Sequence, residues 1–179
     1  MTASAKAKLH LTKTLFCLLL VLALGIGGYR NMAGMRAGAL KSYAPIEESL
    51  DKMLAKTQNL VRVIAPHLPE DDMDLNVLTV ASEGLRESLK DPARARPQCA
   101  TLLEAAESIA LRLKQSEPFI ADELERNMAN RQIAEIKSLN EIIGHQTYNR
   151  EAEKYNRYIE GFPRSGIARL CGIKPVPLY

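Results

Sequence analysis

The sequence predicts an all-α protein: an N-terminal transmembrane helix that continues into an antiparallel four-helix bundle with two long and two short helices. Three observations carry that expectation. The run Leu15-Phe16-Cys17-Leu18-Leu19-Leu20-Val21-Leu22-Ala23-Leu24-Gly25-Ile26-Gly27-Gly28 is apolar on every side, which a bilayer demands and a soluble bundle core does not. Beyond it, apolar residues recur at three- and four-residue spacing in four successive stretches. Period-two runs of β-branched residues and hairpin dipeptides, the signals of strands, are missing.

The first element divides into a basic tail, 1–13, carrying Lys6, Lys8, His10 and Lys13, and an anchor, 14–30. Leu15, Phe16, Leu18, Leu19, Leu20, Val21, Leu22, Leu24 and Ile26 are its lipid-facing residues. The run is shorter than the ~20 residues of an average span, but Lys13 and Arg30 can snorkel and Tyr29 suits the interface. A cleavable signal peptide has the same basic start and short apolar core, and Ala23-x-Gly25 or Gly25-x-Gly27 would serve as its cleavage site. Cys17 comes too early for lipoprotein acylation. The proline-free segment 31–40 continues as helix, which favours a retained anchor. Basic residues nearly balance across the span, with Lys6, Lys8 and Lys13 on one side and Arg30, Arg36 and Lys41 on the other. The export-like start places the bulk of the chain outside the cytoplasm.

Four helices follow within a bundle domain, 31–163. The first leaves the anchor and reaches about residue 64, with a stripe of Ile46, Leu50, Met53, Leu60 and Ile64; Pro45 either kinks it or marks its true start. Pro66 and Pro69 end it, and Glu70-Asp71-Asp72 supply acid for the next first turn. The second spans about 71–90 through Leu75, Leu78, Ser82, Leu85 and Leu89, and Asp91-Pro92 and Pro97 break it. The third spans about 97–115 through Cys99, Leu102, Ala106, Ile109 and Leu113. Ser116 caps the fourth and Pro118 sits in its first turn. That helix runs from about 119 to 160, where Gly161-Phe162-Pro163 stops it.

Each stripe is too narrow to be buried alone, so the helices bury one another with short loops between them. At ~1.5 Å per residue the two long helices reach ~50 and ~60 Å and the short ones ~30 Å. The chain therefore returns towards the membrane, leaving a two-helix stalk in which Met32, Met35, Leu40 and Tyr43 face Ile143, Tyr148, Ala152, Tyr155 and Ile159. Tyr148, Tyr155 and Ile159 form the candidate interaction face for a second copy or another envelope protein; alternatively these side chains satisfy one another. The tail, 164–179, has no acidic residue and alternates Arg164, Arg169 and Lys174 with apolar side chains. Those three bases are candidate contacts for anionic headgroups; alternatively Ile167 and Leu170 tuck against the bundle end.

Chemistry finds little purchase. The 179 residues carry 24 basic and 21 acidic side chains and a net charge of +3, far from the basic stripe of a nucleic-acid binder. Three Cys, at 17, 99 and 171, are too few and too dispersed for a disulfide framework or a zinc site. A di-iron bundle needs Glu-x-x-His on two helices, whereas only His145, beside Glu141, falls on a bundle helix. No phosphate-cradling glycine loop or nucleophile elbow is present. The sequence thus predicts no catalytic residue, cofactor, metal or small-molecule substrate.

The C-terminal stretch carries a resemblance. Tyr148-Asn149 and Tyr155-Asn156, then Ile159, Phe162-Pro163, Ile167-Ala168, Gly172-Ile173-Lys174-Pro175 and Tyr179 resemble the end of the LemA family. An apolar anchor followed by Ser49-Leu50 and Asn59-Leu60-Val61 is similar to its beginning. The family's Trp-bearing early helix and Gln-Leu-Lys-Arg-Arg segment have no counterpart, and 66–139 shows no match, so the likeness is to a divergent member. It implies a bacterial membrane-anchored protein with a long antiparallel bundle and no established catalytic activity. The Tyr-Asn pairs lie on one face of their helix, as packing requires. The expected function is a non-catalytic interaction or scaffold module anchored in the inner membrane. The alternatives are a cleaved, soluble periplasmic helical protein and, third, a metal-binding bundle enzyme.

Overall fold

A computed structural model describes residues 3–115 and 119–179, with side chains from Lys13 onward except Cys17 and Val21. Among the described residues seven α-helices and one 3₁₀ turn follow one another: α1 Ala3–Lys41, α2 Ala44–Ile64, the turn Ala65–His67, α3 Met73–Ser88, α4 Pro92–Leu113, α5 Glu123–Gly144, α6 Tyr148–Glu160 and α7 Arg164–Leu170. The described residues contain no strand. The chain divides into two compact units, one taking in the residues up to Leu40 with Arg150–Val176, the other Lys41–Asn149 with Pro177–Tyr179.

In the second unit α2 packs on α3 and α5, and α4 packs on the same two, so each helix has two neighbours. Their stripes meet in a core of Leu50, Met53, Leu60, Leu78, Leu85, Leu102, Ile109, Ile133 and Ile136, all buried. Asp72 caps α3 by accepting from the Leu75 amide, and Asp122 caps α5 by accepting from Glu125. Both satisfy an otherwise orphaned N–H. Arg112 clasps the start of α3 from α4, donating to Asp72 at 2.9 and 3.1 Å and to Asp74 at 2.9 Å. That guanidinium holds the Asp72 carboxyl below its ordinary range. Lys56 on α2 pairs with Glu135 on α5.

Several expected boundaries move, for local reasons. The two long helices are each broken in two. A break at Ser42–Tyr43 separates α1 from α2, because Pro45 in the first turn of α2 has no N–H to offer Lys41, and the chain restarts with Ile46 and Glu47 both donating to the Tyr43 carbonyl. A second break at 145–147 separates α5 from α6 beside Gly144, where His145 donates to the Glu141 and Ile142 carbonyls and closes the helix. The bundle helices are therefore close in length rather than two long and two short. The helix expected at 97–115 begins at Pro92, and Pro97 lies inside α4; near an N-terminus its missing N–H costs a single bond. The cap expected at Ser116 and the first-turn Pro118 fall outside the described residues, and α5 takes Asp122 as its cap.

In the first unit, Met32 and Ala39 of α1, Ala152, Tyr155 and Ile159 of α6, Ala168 of α7 and Val176 of the tail are buried. Asn31 donates to the Tyr158 hydroxyl at 2.7 Å. Gly28 lies where a Cβ would stand 3.2 Å from Ile167 Cδ1, so its small size brings α1 and α7 close.

Candidate functional site

The helical run from Lys13 holds a stretch long and apolar enough to cross a membrane, with mean hydropathy 1.7 and 6% of it buried. Leu15, Phe16, Leu18, Leu19, Leu20, Leu22, Leu24 and Ile26 are 52–66% exposed, as a lipid-facing surface would be; the Val21 side chain lies outside the described residues. Among the described residues no other helix is long and apolar enough to cross a membrane.

Where α1 passes α7, an apolar groove of about 690 Å³ opens, lined chiefly by Leu22, Leu24, Ile26, Pro163, Ile167 and Leu170. Tyr29 and Cys171 line it too, and they also border a second hollow of about 370 Å³ that holds Arg36, Leu40, Ile173 and Lys174. Phe162 and Leu170 beside the groove are 92% and 90% exposed. α7 stops in a left-handed Gly172 (φ 64°), with Ile173 donating to Ala168 O at 2.8 Å and Gly172 donating to Arg169 O at 3.3 Å. This Schellman closure turns the chain back, and Lys174 just beyond it lines the second hollow.

The three expected headgroup bases separate. Arg164 is held within the chain, its guanidinium 4.1 Å from the Tyr158 ring centroid and donating to the Tyr158 carbonyl at 3.5 Å. Arg169 is exposed but borders a different hollow, with Glu160 and Ser165. Lys174 alone lines the hollow next to the groove, where it is joined by Arg36, which the sequence reading had weighed only for orientation. Only the fold brings residues 36 and 174 together; no spacing in the sequence signals it.

The expected interaction face is corrected. Tyr148, Tyr155 and Ile159 are all buried, and a side chain without accessible surface offers nothing to a partner. Instead they hold the extended tail. In the first unit the Asn156 side chain accepts from the Val176 N–H and donates to the Val176 carbonyl, both at 2.8 Å, while the Tyr155 hydroxyl donates to Lys174 O at 3.3 Å. In the second unit Asn149 treats Tyr179 in the same way, at 2.9 and 2.8 Å, and the Tyr148 hydroxyl donates to Pro177 O at 2.6 Å. The Tyr179 ring lies 6.2 Å from that of Tyr43. Burial pushes the Cys99 thiol up, away from the thiolate a nucleophile needs. Cys171 is exposed.

Among the described residues no three His, Cys, Asp or Glu side chains gather where they could hold a metal ion. No protein-family model matches the chain, and no curated protein or solved structure is significantly similar to it.

Proposed function

We propose that the chain is a single-pass, membrane-anchored helical scaffold of the bacterial envelope, similar in kind to the LemA family and without catalytic activity. α1 crosses the inner membrane once, and α2–α5 form an antiparallel four-helix bundle outside the cytoplasm. The observation that carries this reading is the continuity of α1. The helix that carries the exposed apolar stretch runs without interruption through Gly25 and Gly27 to Met32 and Ala39, which are buried in a packed unit. Cleavage at either candidate site would cut α1 within one continuous helix, ahead of Met32 and Ala39.

The resemblance of the Tyr-Asn, Tyr-Asn, Phe-Pro and Gly-Ile-Lys-Pro residues supports the family assignment. The buried Cys99 and the dispersed histidines favour a scaffold over an enzyme. Partners are membrane lipid and either a second copy or another envelope protein, docking on exposed apolar side chains such as Val80, Leu111 and Leu124. The small-residue pattern Ala23-x-Gly25 favours the second reading, a soluble periplasmic protein released by cleavage.

Carbonate extraction of membranes separates the two. The anchored protein stays in the pellet with its N-terminal residues intact. Release into the supernatant with a mature N-terminus beyond Gly25 overturns the anchor.

A further inference from the structure

The groove and the hollow beside it are complementary to one molecule. From Leu22 to Tyr29 the α1 helix advances about 10.5 Å, and Arg36 lies about the same distance further on. The first interval is nearly all apolar; the second ends at two cations. An acyl chain needs the former, and a phosphate at the membrane surface needs the latter.

We propose that α1, α7 and the turn after α7 form a binding site for a single anionic phospholipid. Its phosphate lies between Arg36 and Lys174, and one acyl chain lies in the groove against Leu22, Ile26, Ile167 and Leu170. Among the described residues neither base has a carboxylate within ion-pairing distance, so both charges are available to a ligand. The sequence has no acidic residue after Glu160 to compete. Tyr29 and Cys171 border both compartments, so the hollow and the groove adjoin at these two residues. Gly28 contributes by leaving no side chain between α1 and Ile167. Leu170, which lines the groove, and Phe162, next in sequence to its lining Pro163, are both exposed and add apolar surface there. A zwitterionic lipid offers the same chain but cancels the charge that the two bases recognise.

The site rests on the membrane-anchored reading, and the experiment keeps the two apart. The full chain is purified in a mild non-ionic detergent from vesicles of phosphatidylglycerol or of phosphatidylcholine, and bound lipid is counted by native mass spectrometry. One phosphatidylglycerol per chain is expected, with phosphatidylcholine retained about tenfold less or weaker still. Inorganic phosphate does not displace it. The double variant Arg36→Glu/Lys174→Glu loses the adduct, whereas Arg169→Glu, a charge reversal on the far side of α7, retains it. Equal retention of the two lipids, an adduct unchanged in the double variant, or a doubled chain mass without lipid overturns the site. If the double variant loses helicity, the comparison of the two lipids on the unaltered chain decides alone. A protein that resists carbonate extraction but carries no lipid refutes this site and leaves the anchor standing.

Discussion

The side chain of Asn156 matches the backbone of one residue, Val176, donating to its carbonyl and accepting from its N–H. That arrangement imitates a β-ladder without a second strand. Asn149 repeats it on Tyr179. The repeat follows from two rises: seven residues of helix advance about 10.5 Å, and three residues of extended chain cover about 10 Å. Pro175 and Pro177 fall at positions whose N–H no asparagine needs, and their fixed φ keeps the tail extended. Asn156→Ala removes two bonds and leaves the Val176 groups without partners, a loss of about 1–3 kcal/mol. For a chain of this size that lowers the melting temperature by roughly 2–12 °C, measurable by circular dichroism in detergent. A change under 1 °C would mean that the tail is held by its apolar contacts alone. Tyr148 supplies a pH-dependent test. Burial raises its phenol from 10.0 to about 12, so the folded chain holds that proton more tightly than the unfolded one. The associated stability is complete below pH 10 and is lost as pH rises towards 12. Tyr148→Phe forfeits the bond to Pro177 O, so it is less stable at pH 8 by about 1 kcal/mol. It cannot ionise, so its deficit against the unaltered chain narrows by pH 11. A constant deficit at both pH values would contradict a buried Tyr148 hydroxyl.

At the scale of elements, two glycines that look alike in sequence do opposite work. Gly144 ends α5 with a negative φ and with nothing near the position a Cβ would take. Alanine there removes backbone freedom from the unfolded chain without a clash, and stabilises by about 0.4–1 kcal/mol. Gly172 has equal space but a φ of 64°, so Gly172→Ala incurs about 1–2 kcal/mol of left-handed strain and loosens the closure of α7. Thermal melts of the two variants should move in opposite directions; a shift of the same sign in both would show that the Gly172 turn is not held as described. The same contrast explains what was legible in the sequence. The stripes of α2 to α5 were readable because burial imposes a period, and the acid at the start of α3 because the helix dipole favours it; that Asp72 is the cap itself is seen only in the fold. The break beside Tyr43 was legible in Pro45 as one of two alternatives; the one beside Gly144 was not, since it is decided by a single residue inside an otherwise continuous apolar pattern. The Tyr-Asn repeat was visible, but its purpose was not: the groups it binds are backbone atoms twenty to thirty residues away, and backbone leaves no mark in a sequence. Arg36 went unrecognised beside Lys174 for a related reason, as their proximity depends on how α7 ends.

On the anchored reading proposed above, the molecule as a whole depends on a span that is short for its task. Thr14 to Tyr29 is 16 residues, about 24 Å of helix against a hydrocarbon thickness of about 30 Å. Its transfer into lipid is therefore favourable by a narrower margin than that of an average span, and snorkelling by Lys13 and Arg30 makes up part of the deficit. Near the middle lies Leu20, 52% exposed and taking no part in the core of either unit. Leu20→Arg adds about 2.5–3.5 kcal/mol of unfavourable insertion free energy while leaving the packing of the helices untouched. Insertion of this span should fall by at least about tenfold, since each 1.4 kcal/mol is a factor of ten. Leu20→Phe, apolar and larger, should leave it unchanged. The measurement is the fraction of full-length chain in the pellet after carbonate extraction, with far-ultraviolet circular dichroism of the released protein as the check on folding. Released protein that keeps its helicity places the loss in the membrane step. Full retention of Leu20→Arg would mean that something other than this apolar run binds the chain to the bilayer, and the scaffold would need another anchor.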